Sequence, residues 1–60
     1  MDKSTKNDSY WVDEHLIIIS PELDYNVYVR NAGGDLTLKY SGHGDSKKDA
    51  LYQAIKWIKG

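Results

Sequence analysis

The stretch YWVDEHLIII, Tyr10 to Ile19, bears directly on how many strands this chain forms. Its aromatic pair Tyr10 and Trp11 and its β-branched residues Val12, Ile17, Ile18 and Ile19 have the character of a pleated, partly buried surface. Taken as continuous, the stretch predicts one strand over residues 10–19. SPELD, residues 20–24, interrupts it: Pro21 fixes φ and has no N–H to donate, and Ser20 and Asp24 favour turns.

Working outward, Tyr25-Asn26-Val27-Tyr28-Val29-Arg30 alternates with period two. That places Tyr25, Val27 and Val29 on a core face and Asn26, Tyr28 and Arg30 on the other. NAGGD, residues 31–35, supplies the positive-φ positions of a tight hairpin. Leu36-Thr37-Leu38-Lys39-Tyr40 then resumes alternation, with Leu36, Leu38 and Tyr40 expected inward.

The period changes in the closing segment. Ala50, Leu51, Ala54, Ile55, Trp57 and Ile58 share one stripe when residues are placed every 100°. Ser46 is a suitable N-cap, Asp49 supplies the acidic member of a capping box, and Lys56 and Lys59 suit the negative end of the helix dipole. The expected fold is α+β: a three-stranded antiparallel β-meander followed by one C-terminal amphipathic helix on one sheet face, β-β-β-α. Trp57 and Trp11 are its expected large core pieces. Residues 1–9, MDKSTKNDS, carry no apolar side chain after Met1 and predict a mobile tail. Residues 10–60 then form a single domain, with no internal repeat.

A 60-residue domain buries only about 60% of the surface its unfolded chain exposes and is marginal alone. Small folds usually compensate with disulfides, a metal or association. This chain has no cysteine and two histidines, His15 and His43, which leaves association as the expected device. Absent cysteine also fits a reducing interior. The longest purely aliphatic run, Leu16 to Ile19, is far short of the roughly 20 residues that span a bilayer. The first residues lack the apolar core of a signal peptide. The expectation is a cytoplasmic protein with no membrane partner.

The formal net charge is −1, yet residues 1–29 sum to −4 and residues 30–60 to +3. A nucleic-acid-binding domain normally carries a strongly basic footprint, so that role rests on the C-terminal half alone. Gly42-His43-Gly44 before a helix start has the elements of an anion cradle, but it lacks the spacing of a P-loop or dinucleotide fingerprint. Ser41, His43 and Asp45 hold the residue types of a catalytic triad, but alternate residues of one short loop rarely aim at one another. The two histidines lack metal-ligand spacing. No catalytic residue, metal site or cofactor is expected, and His43 is expected to be an exposed side chain in a connection.

Two surfaces are expected to bind. The strand ending in Leu16-Ile17-Ile18-Ile19 is apolar on both faces and lies at an edge in a three-stranded meander. Pairing through Ile17 and Ile19, in a homodimer or onto another protein, would cover it. The second surface sets tyrosines among cations: Lys48, Tyr52 and Lys56 on the helix, and Tyr28, Arg30 and Lys39 on the bare sheet face. The expected function is a small non-enzymatic protein-binding module, of the kind found among phage-encoded or accessory inhibitors and antitoxin-like proteins. The alternative is a small nucleic-acid-binding domain using the exposed sheet face and the helix lysines.

Overall fold

The computed structural model describes residues 6–60. Of the expected tail over residues 1–9, positions 1–5 lie outside the described residues, whereas Asp8 and Ser9 belong to a strand. The elements in chain order are β1 (Asp8–Val12), β2 (His15–Ile19), β3 (Asp24–Arg30), β4 (Leu36–His43) and α1 (Lys47–Lys59). The class is α+β. One antiparallel sheet of order β1-β2-β3-β4 carries the C-terminal helix.

Four strands replace the expected three because residues 10–19 fold back on themselves. Asp13 and Glu14 both have positive φ, 46° and 66°, the backbone that a two-residue hairpin turn requires. His15 Nδ1 lies 2.7 Å from the Asp13 carbonyl oxygen across this turn. Tyr10 consequently pairs with Ile17, and Trp11 with Leu16. Nothing in Asp-Glu signals the turn, since Asn-Gly and Asp-Gly are the usual occupants.

The extra hairpin moves Leu16 to Ile19 from the edge to an inner strand. Ile17 lies between Tyr10 on β1 and Val27 on β3, and Ile19 between Asp8 and Tyr25. Both isoleucines are buried in the core beside Tyr25, Val27, Ala50 and Ala54. The expectation that Ile17 and Ile19 form a sticky edge is therefore corrected: their strand has partners on both sides.

A second departure occurs on β4. Val27 pairs with Tyr40 but Tyr28 pairs with Leu38, so Lys39 is the extra residue of a β-bulge. The bulge reverses the face of everything before it. Tyr40 stays on the helix side, while Leu36 and Leu38, expected inward, lie on the opposite face and are 44% and 53% exposed.

α1 follows its expected stripe, with Ala50 and Ala54 buried and Leu51, Ile55 and Ile58 packed around them. Two alanines at i and i+4 let the helix approach the sheet closely. Trp57 departs from expectation. It is 40% exposed, stacked on Tyr40 with ring centroids 5.1 Å apart and planes 7° apart, and met edge-on by His15.

The helix start is built as expected at Ser46, whose Oγ accepts from the Asp49 N–H at 3.0 Å. The Asp49 carboxylate accepts from the Asp45 N–H at 2.9 Å and from Gln53 Nε2 at 2.8 Å. Ser46→Ala is expected to cost about 0.5–2 kcal/mol through the orphaned N–H, read as a lower urea midpoint with an unchanged slope. At the two helix ends, Lys47 reaches Asp8 at 2.6 Å and Lys59 reaches Asp13 at 3.2 Å. Both pairs are exposed and contribute little. Among the described residues no helix is long and apolar enough to cross a membrane.

Candidate functional site

α1 covers one face of the sheet, and the register fixes what stands on the other. Trp11, Leu16, Tyr28 and Leu38 are direct cross-strand partners, so four large side chains form one row across β1, β2, β3 and β4. The two local irregularities create this row. The Asp13-Glu14 turn sets Trp11 beside Leu16, and the bulge at Lys39 brings Leu38 opposite Tyr28.

Ile18 lies one level from the row, between Ser9 and Asn26, and Leu36 lies on its other side opposite Arg30. Trp11 is 55% exposed, and Leu16, Ile18 and Tyr28 are half-buried. With strands about 4.8 Å apart and a rise of about 3.3 Å per residue, the apolar part spans roughly 350 Å² in projection. That equals the largest apolar patch of many monomeric proteins, a size class that often carries function.

The polar groups of this face sit at its ends. Arg30 places its guanidinium carbon 5.7 Å from the Trp11 ring centroid, a cation–π arrangement that holds a charge beside the apolar row. At the opposite end His43 Nδ1 pairs with Asp24 Oδ1 at 2.8 Å, both side chains exposed. His43 thus closes a strand pair and is turned toward Asp24. The Gly44 N–H donates to the Leu23 carbonyl at 2.9 Å, and the Asp45 N–H donates to Asp49, so two amides of the supposed anion cradle have partners within the chain. Among the described residues no group of three His, Cys, Asp or Glu side chains assembles.

The sequence-predicted site residues are divided among three places. Tyr28 and Arg30 stand on the open face, and Lys39 occupies the bulge beside it. Lys48, Tyr52 and Lys56 are exposed along α1, on the other side of the sheet. Ile17 and Ile19 are in the core. Trp11, Leu16, Ile18, Leu36 and Leu38 were not among the predicted site residues. The two-faced apolarity of Leu16 to Ile19 was their one visible signal, and it marks Leu16 and Ile18.

On the helix side, Tyr40, Gln53, Lys56, Trp57 and Gly60 line an open groove. Beneath it the Tyr25 hydroxyl donates to Gln53 Oε1 at 3.0 Å. Burial, reinforced by the neighbouring Tyr40, holds the Tyr25 phenol above its ordinary pKa. The folded state therefore keeps a proton that the unfolded chain releases near pH 10. The associated stability is fully present below that pH and is lost as pH rises through the folded value. Wild type is expected to lose more stability than Tyr25→Phe between about pH 9 and pH 11, measured by urea unfolding; parallel losses would contradict this.

Comparison of the chain with protein-family models, curated proteins and solved structures finds no match.

Proposed function

We propose that the chain is a small non-enzymatic protein-binding module whose open sheet face docks onto another polypeptide surface. The observation that carries this reading is the cross-strand row Trp11, Leu16, Tyr28 and Leu38. An apolar surface of this kind gains stability by leaving water, at about 25 cal/mol per Å² removed. Trp, Tyr and Arg are also the residue types that most often anchor interfaces. Arg30 beside Trp11 supplies a directional charge at the end of the row.

Such a module acts by occupancy, in the manner of an inhibitor or antitoxin-like protein. Its cysteine-free sequence suits the reducing cytoplasm. The nucleic-acid alternative draws less support from the geometry. Its cations are split between the two sides of the molecule, and aliphatic Leu16, Ile18, Leu36 and Leu38 occupy the face where bases would stack.

The test is a photo-crosslinking residue at position 38, compared with one at position 48 on the outer side of α1. Polypeptide adducts that survive nuclease treatment are expected from position 38 and not from position 48. Equal yields from the two sites, or no adduct from position 38, would overturn the reading.

A further inference from the structure

We infer that the occupant of the open face is a second copy of this chain, packed face to face about a twofold axis parallel to the strands and midway between β2 and β3. This inference rests on the reading of that face as a protein interface and names its partner. A rotation about such an axis keeps each residue at its level along the strands and exchanges β1 with β4 and β2 with β3. The register then dictates what meets what.

At the level of the row, Trp11 of one copy falls over Leu38 of the other and Leu16 falls over Tyr28. All four positions of the row thus meet a large apolar side chain, the two contacts each occurring twice in the pair. One level toward the turns, Arg30 and Glu14 are neighbours, since the Arg30 N–H donates to the Glu14 carbonyl at 3.1 Å. The same axis sets Arg30 of each copy over Glu14 of the other. Neither side chain takes part in an ion pair among the described residues. At these two levels the face complements itself in apolar content and in charge, as an isologous interface requires, while one level the other way the same axis sets Ile18 over Asn26 of the other copy. Two stacked sheets sit about 10 Å apart with their inner side chains interdigitated, and α1 lies outermost in each copy.

The other routes to a dimer are less open. Pairing edge to edge through β4 meets the bulge at Lys39, and bulges are a device that blunts edges. The β1 edge is five residues long, with its first residue Asp8 engaged by Lys47 and Asp13, just past its last residue, by Lys59. A projected face of roughly 350 Å² per copy buries on the order of 700 Å² in total, well below the standard size of about 1,600 Å². The expected dimer is accordingly a reversible one that forms in the micromolar to submillimolar range.

Sedimentation equilibrium of the purified chain, from low micromolar to millimolar concentration, tests this. The expected result is a monomer–dimer equilibrium whose dissociation constant rises roughly tenfold or more in Leu38→Lys, about 1.4 kcal/mol or greater, with the circular dichroism spectrum preserved. Tyr52→Lys on the outer side of α1 should leave the equilibrium unchanged. Arg30→Glu alone should weaken association, and Arg30→Glu combined with Glu14→Arg should restore it, which a merely structural role for either residue would not produce. A dimer that resists both Leu38→Lys and the single charge reversal would overturn the inference. So would a monomer at every concentration. In that case a crosslink from position 38 to a different polypeptide would leave the interface reading standing, and no crosslink at all would remove both.

Discussion

Ile17→Lys is expected to unfold the domain at 25 °C, whereas Ile18→Lys, one residue further along the same strand, leaves it folded. Ile17 has no solvent exposure and lies between Tyr10 and Val27 within the core that Ala50 and Ala54 of α1 complete. Losing its packing costs about 2–5 kcal/mol in a typical core. An ammonium placed there without a partner adds several kcal/mol more. A core of this size rarely supplies more than about 3–5 kcal/mol in all, so the folded state is lost. Ile18 stands on the open face between Ser9 and Asn26, where a lysine reaches water directly. Its cost is a strand-propensity difference of about 1 kcal/mol or less. Far-ultraviolet circular dichroism and amide hydrogen exchange on the two variants check the contrast. A folded Ile17→Lys beside an unfolded Ile18→Lys would mean that the two sheet faces are exchanged.

This pair of neighbours also marks how far the sequence was legible. The alternation of Tyr25, Val27 and Val29, the turn around Gly34, the helical stripe and the Ser46 cap were all readable, because each is governed by interactions within a few residues of sequence. The turn at Asp13-Glu14 was not. Acidic residues at consecutive positive φ are uncommon, and what holds them there is the pairing of β1 with β2, a condition visible only once both strands exist. One missed turn relocated Ile17 and Ile19 from a presumed edge to the core.

The bulge at Lys39 hid the apolar content of the open face in the same manner. Leu36, Leu38 and Tyr40 alternate perfectly in sequence, and alternation assigns them to one face. Pairing with β3 inserts an extra residue and divides them. Tyr40 remains on the helix side, where its ring stacks on Trp57 at the rim of the core. Leu36 and Leu38, which a strict period would have buried, joined the open face, so alternation alone could not show how much apolar surface that face carries.

Gly44→Ala is expected to be a strongly damaging single-methyl change, with Gly33→Ala nearly silent. Gly44 lies outside the left-handed region, so its requirement is space and not φ. A Cβ there would stand 2.5 Å from Ala50 N, 2.7 Å from Ala50 Cα and 2.8 Å from Ala50 Cβ. The obstructing atoms are helix backbone and cannot rotate aside. Nor can residue 44 withdraw freely, since its N–H donates to the Leu23 carbonyl and Ser46 two residues on caps the helix. Relief requires α1 to lift from the sheet at its first turns, which loosens Ala50 and Ala54 over Ile19 and Tyr25 together. Overpacking of this kind costs typically 1–3 kcal/mol, a large part of the roughly 3–5 kcal/mol available to so small a core. At Gly33 the nearest atom to an added Cβ is Asp35 Oδ2 at 4.0 Å, and alanine there is expected to change stability by less than about 1 kcal/mol in either direction. Urea midpoints for the two variants measured side by side decide the matter. Equal midpoints would show that the helix does not rest on Gly44, and with that the close α1–sheet contact that leaves the opposite face open would be wrong.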